Sequence, residues 1–273
     1  MTNYDEIDFS PLTALTGDEV ITHARVRDVR LASGKVIALI TLDNGRDHTR
    51  PNTLGPATMT ALGETLDALK ERAAAGEIDA VAVTGKQYIL AAGADLSDIT
   101  KVGSKANAKL VAQLGHKVFG KLGALGVPSF AFVNGLALGG GTELALSCDL
   151  LVASRTAVFG IPEVKRNLVA AAGGLFRLPR KLPRNIAMEL ALTGRLDFPA
   201  ERAHHFGWAN VLCDEGQALA AAQKLAAQIC ENAPLAVRES RRVLLETTDQ
   251  PDAVGWKTSG EGIIKMFGTE DFS

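Results

Sequence analysis

Aromatic side chains are scarce, at 5% of 273 residues, and the charges nearly cancel: 29 lysines and arginines stand against 31 aspartates and glutamates, a formal net charge of -2. Such a balance provides no general electrostatic footprint for a nucleic acid, so none is expected as a partner, and any anionic ligand has to be held locally. Cysteine is also rare. Cys148, Cys213 and Cys230 are odd in number, far apart and without a C-x-x-C pair, which excludes a disulfide framework and a cysteine zinc site and fits a reducing, cytoplasmic setting. The histidines do not gather into a ligand set, and no metal is expected. No basic segment precedes an apolar stretch near the N-terminus, so no signal peptide is expected. The longest uncharged run, residues 122–142, is long enough to span a bilayer. Its glycines, with Pro128, Ser129 and Asn134, instead punctuate it as strand, turn and tight loop of a globular core, and no membrane association is expected.

Hydrophobic residues make up 47% of the chain and charged ones 22%, ordinary globular usage for a chain long enough to build one large core. Residues 1–19 are polar and irregular and read as a surface arm. Residues 36–42 are β-rich between Gly34-Lys35 and Asn44-Gly45, turn signals that bound a buried strand. Met59, Leu62, Leu66 and Leu69 recur at helical spacing between Pro56 and Gly76, predicting an amphipathic helix. Further strands are predicted over 78–84, 129–133 and 150–153, with helices over 105–124 and around Glu143-Leu146. Short strands alternating with helices indicate an α/β fold built of β-β-α-like turns. Beyond about residue 175 no convincing strand remains. The reading is therefore an arm (1–19), an α/β core (20–195) and an appended helical region (196–273).

Chemistry concentrates in three glycine-bearing segments, each next to an acid. In Ala91-Ala92-Gly93-Ala94-Asp95 the glycine lets backbone approach a ligand closely, while Asp95 can cap the helix that follows. In the segment 134–143, Gly139, Gly140 and Gly141 precede Glu143. They match neither a phosphate loop, which needs a lysine after the glycines, nor a dinucleotide fingerprint, whose glycines are spaced. Bare N–H groups at a helix start suit a developing negative charge; two backbones crossing closely is the alternative. Glu143 in the first turn is also favoured by the helix dipole alone, and Glu163, after Gly160-Ile161-Pro162, is equally a solvated loop carboxylate taken singly. Their conjunction raises the odds, because adding or removing water needs one group to activate water and one to deliver a proton. No G-x-S-x-G or H-E-x-x-H occurs.

From about residue 36 to 267 these segments resemble, in order, those of the enoyl-CoA hydratase/isomerase (crotonase) superfamily. Residues 89–96 are similar to its first oxyanion segment. Residues 128–149 are similar to its second, with the glycine triplet, Glu143 and Cys148-Asp149 in register. Residues 159–163, the Gly173-Gly174 pair and residues 187–194 are similar to its continuation. The resemblance implies a crotonase-like spiral of β-β-α turns with a helical C-terminal trimerisation region, assembly as a homotrimer or a dimer of trimers, and acyl-CoA thioesters as substrates. It places the N–H groups of Ala94 and Gly140 on the thioester oxygen and the substrate along Ala92, Gly93, Asp95, Leu96, Gly139 and Gly141. Arg50, in a segment similar to the one beside the pantetheine and phosphates, is a further candidate contact. Family members that hydrate enoyl-CoA carry glutamate at both acidic positions, as here; isomerases commonly keep one. The expectation is addition of water to a trans-2-enoyl-CoA, with coenzyme A entering only as part of the substrate and no other cofactor. A double-bond isomerase, or an idle acyl-CoA-binding protein, is the alternative. One departure from the family is the run 167–172, where glycine and proline are usual; Asn167 there can still take the left-handed conformation.

Overall fold

A computed structural model describes residues 3–13, 17–47, 49–94, 102–267 and 269. β1 (His23–Arg30) and β2 (Val36–Asp43) form an antiparallel hairpin, with Arg30 opposite Val36 and a turn through Gly34 at φ 83°. Parallel to β2 follow β3 (Ala80–Gly85), β5 (Ser129–Val133), β7 (Leu150–Ser154) and β10 (Val211–Cys213), giving a six-stranded sheet in the order β1-β2-β3-β5-β7-β10. A smaller sheet holds β4 (Ile89–Ala91), β6 (Leu136–Leu138), β8 (Val158–Gly160) and β9 (Phe198–Pro199) in that order. Each of β3, β5 and β7 thus hands the chain on to a short strand of the second sheet, the repeating turn of a spiral.

The inner strands read as continuous apolar runs because both faces of the large sheet are covered. Side chains alternate between two cores. Ala38, Ile40, Leu42, Val81, Val83, Ala131 and Val133 face the main one, packed by α2 (Pro56–Ala74), α3 (Lys105–Gly123) and α4 (Gly140–Ser147). Ile37, Leu39, Ala80, Ala82, Phe130, Phe132 and Val152 face Ala222, Ala226 and Cys230 of α8 (Ala218–Cys230). Before α8 come α5 (Gly174–Lys181), α6 (Arg184–Thr193) and α7 (Ala200–His205); after it, α9 (Pro234–Thr247) and α10 (Asp252–Met266) pack on each other. No helix among the described residues is long and apolar enough to cross a membrane.

Two sequence expectations are corrected. The segment before residue 20 is not simply an irregular surface arm: it forms a 3-10 turn (Tyr4–Glu6) and α1 (Ser10–Thr13), buries Leu12 in the main core, and supplies the N-terminal cap of α2. Gly55 at that cap has no side chain to offer, so the Glu19 carboxylate accepts instead from the N–H groups of Ala57 (2.8 Å) and Thr58 (2.9 Å). Nor is the chain free of strands after residue 175. β9 and β10 close one edge of each sheet, and two or three residues are too few for alternation to register in a sequence; β10 exists because Val211 to Cys213 pair with Val152 to Ser154.

Candidate active site

Two backbone turns meet at the start of α4. The first leaves β4 through Ala92, Gly93 and Ala94. Asn52, fully buried, holds it: its side-chain amide donates to the carbonyls of Leu42 (2.8 Å) and Leu90 (3.0 Å), its Oδ1 accepts from Asn44, and its own carbonyl accepts from Ala92 N–H (2.9 Å). Leu54 N–H closes the turn on the Gly93 carbonyl at 2.9 Å. The second turn runs from β6 through Gly139 into Gly140 and Gly141. Gly139 N–H donates to the Gly160 carbonyl (2.8 Å), and the Thr142 hydroxyl, also buried, bonds to the carbonyls of Ala137 and Gly160.

The glycines here are packing requirements. A Cβ on Gly93, at φ 82°, would stand 2.9 Å from the Gly140 nitrogen, and one on Gly141 would stand 2.1 Å from the Ala91 carbonyl oxygen. The two turns therefore touch through bare backbone, and the helix start of α4 opens beside them.

Both glutamates face this place. Glu143, in the first turn of α4, is 3% exposed, and its Oε1 accepts from Gly174 N–H at 2.8 Å. Burial pushes its carboxyl from the ordinary 4.5 up to about 7; repulsion by Glu163 adds to this, while the amides of Gly174 and Ala172 and the charge of Arg177 pull the other way. Glu163 opens a 3-10 turn (Glu163–Arg166) that ends at Asn167 in the left-handed conformation, φ 57°. Its Oε1 lies so near the Gly139 α-carbon that a Cβ there would sit 2.8 Å away, and its Oε2 is buried without a hydrogen-bond partner among the described residues. Burial raises its carboxyl as well. Two carboxyls raised by burial thus stand beside the same pair of backbone turns.

Of the residues singled out in the sequence, Gly93, Gly139, Gly140, Gly141, Glu143 and Glu163 converge here, with Ala92 half-buried in the first turn and Ala94 exposed after Gly93. Asp95 and Leu96 lie outside the described residues. Arg50 stands exposed on the loop before Asn52. Asn52, Thr142, Ala172, Gly174 and Arg177 carry roles that sequence reasoning did not assign. No local pattern marks Asn52, which stands between Pro51 and Thr53; the others act through main-chain bonds that only the folded chain creates.

The family model for enoyl-CoA hydratase/isomerase matches residues 33–270. The short-chain-enoyl-CoA hydratase of Clostridium acetobutylicum is 33% identical over 241 residues, covering 87% of this chain and 88% of that protein. A carnitinyl-CoA dehydratase of Salmonella heidelberg is 36% identical over 140 residues, 51% of this chain and 53% of its own. Among solved structures, enoyl-CoA hydratase from Mycobacterium tuberculosis H37Rv superposes with a TM-score of 0.74 at 36% identity, over 91% of this chain and 92% of that one. DspI of Pseudomonas aeruginosa reaches 0.80 at 27% identity, over 93% of each. The fold is thus that of the crotonase superfamily. This chain belongs to the enoyl-CoA hydratase/isomerase family.

Proposed function

We propose that this enzyme is a hydro-lyase that adds water across the 2,3 double bond of a trans-2-enoyl-CoA, and that Glu143 and Glu163 divide the acid and base work. The observation that carries this reading is the pair of carboxyls raised by burial on one backbone cradle, Glu163 keeping a buried, unpartnered oxygen. Glu143, whose anionic form the amides of Gly174 and Ala172 favour, takes a proton from water as the water oxygen bonds to Cβ. The electron pair of the double bond moves onto the thioester oxygen, held as an enolate by the N–H groups of Ala94 and Gly140. Glu163 then delivers its proton to Cα as the carbonyl re-forms. Each such oxyanion donor typically lowers the barrier by about 3 to 4 kcal/mol. The conjugated thioester is itself the electron sink, so coenzyme A serves as a handle of the substrate. Ala92, Gly93, Gly139 and Gly141, with Asp95, Leu96 and Arg50 toward the CoA end, make up the proposed substrate contacts.

Assembly as a homotrimer or a dimer of trimers completes the reading. Trp256 is 79% exposed, Ile264 72% and Leu244 68%, an apolar surface on α9 and α10 that a second copy would cover. Three unpaired thiols suit a reducing, cytoplasmic compartment.

The test follows loss of the 2-enoyl-thioester absorbance of crotonyl-CoA and a longer homologue. Wild type is expected to turn them over, and Glu143→Gln and Glu163→Gln each to lower the rate by at least about a hundredfold. Full activity in both variants removes the assignment, and faster conversion of a 3-enoyl-CoA replaces hydration with isomerisation.

A further inference from the structure

We propose that Arg177 is a positioning residue for Glu143, its guanidinium clamping the Ala172–Gly174 turn whose amides hold the catalytic carboxylate. This rests on Glu143 being the ionising group of the proposed reaction, and it names what sets that ionisation.

The glycine pair is a slot between a cation and an anion. On one side, a Cβ on Gly174 would press on Glu143 at 3.1 Å from both Cγ and Oε1; on the other, a Cβ on Gly173 would stand 1.7 Å from Arg177 Nη1. Gly173, at φ 116°, adopts a backbone conformation that side chains disfavour, so its bareness is required twice. The guanidinium lies over the α-carbon of Gly173 and donates from Nη1 to the Ala172 carbonyl at 3.1 Å. The preceding carbonyl, Ala171, is met by His116 Nε2 at 2.6 Å. The Ala171 carbonyl shares its planar peptide with Ala172 N–H, and the Gly173 carbonyl, held by the Arg177 N–H, shares its peptide with Gly174 N–H. With these two carbonyls and that of Ala172 between them engaged from outside, the N–H groups of Ala172 and Gly174 are turned inward to Glu143.

Arg177 is placed one turn into α5, its own N–H bonded to the Gly173 carbonyl (3.0 Å), and its guanidinium packs on the Phe176 ring at 4.7 Å. Among the described residues it forms no ion pair with Glu143; the two act across the intervening backbone. The charged and titratable groups around the pair are Glu163 on the 3-10 turn after β8, Arg180 on α5, and Cys148 at the end of α4. Glu163 destabilises the Glu143 anion and Arg177 stabilises it; burial of Arg177 disfavours its charge, an effect the Glu143 anion opposes. Removing Arg177 therefore frees the turn and deletes the cation, and both changes favour the protonated, idle form of Glu143.

The experiment compares Arg177→Met and Arg177→Gln with wild type by two readouts. One is the carboxylic C=O infrared band of Glu143 as a function of pH, assigned by subtracting the Glu143→Gln spectrum; it needs no turnover. The other is the pH dependence of kcat/KM for crotonyl-CoA. The Glu143 midpoint is expected to rise by about one pH unit in either variant, with kcat/KM near pH 7 falling about fivefold and recovering toward pH 9. Arg177→Lys, which keeps the charge, is expected to fall between. An unmoved infrared midpoint in whichever variant folds overturns the proposal. So does failure of both to fold, which makes Arg177 a purely structural residue. A midpoint that moves in a wild-type background that hydrates no enoyl-CoA retains the positioning role and sinks the hydratase reading instead; an active wild type with an unmoved midpoint in the variants does the reverse.

Discussion

Replacing Glu143 by glutamine separates what the buried carboxylate does for the reaction from what it does to the fold. In the unfolded chain this carboxyl ionises near 4.5; in the folded protein burial delays ionisation to about 7. Folding therefore favours the protonated form, and stability is lost as pH rises from 4.5 through 7. At about 1.4 kcal/mol per pH unit, the gap between those values amounts to roughly 3 kcal/mol above pH 7. Glutamine has the same shape, its Oε1 can still accept from Gly174 N–H, and it never ionises. The variant is expected to be inactive yet more stable at pH 8, with Tm up by about 5 °C, and to match wild type near pH 4.5, where the native side chain is already neutral. Differential scanning calorimetry from pH 4.5 to 8.5, with urea denaturation at both ends, measures this. A gain that does not change with pH, or a loss at pH 8, refutes the argument that desolvation dominates this side chain.

Three further outcomes follow from packing and hydrogen bonding. Asn52→Ala leaves the carbonyls of Leu42 and Leu90 and the N–H of Asn44 without their buried partner. It should cost about 3 kcal/mol in urea denaturation and lower turnover through the Gly93 turn. Gly139→Ala forces a side chain into φ 52° and against Glu163 Oε1; kcat for crotonyl-CoA should drop about a hundredfold in a protein that remains folded by circular dichroism. Trp256→Glu places a charge on the exposed apolar face of α10 and, on the proposed assembly, should lower the mass by light scattering relative to wild type; an unchanged mass would show that this face is not a subunit contact.

The amino-acid order by itself determined the central strands and the long helices. Residues 36–42 and 129–133 are apolar runs between turn signals, and Met59, Leu62, Leu66 and Leu69 repeat every three or four positions; such local signals survive into the fold because the core rewards them. The glycine triplet and the acids near it were visible for the same reason, since adjacent glycines before an apolar helix have few structural uses. Tertiary structure alone decided the rest. The second sheet and β10 consist of two- or three-residue strands whose hydrogen bonds come from distant segments, so no local pattern announces them. Glu143 and Glu163, twenty positions apart, are each raised above the ordinary carboxyl value because burial removes water from both. Asn52 and Arg177 matter through carbonyls far from them or turned toward them by the fold. Desolvation and long-range pairing are properties of a packed interior, which a linear chain does not possess.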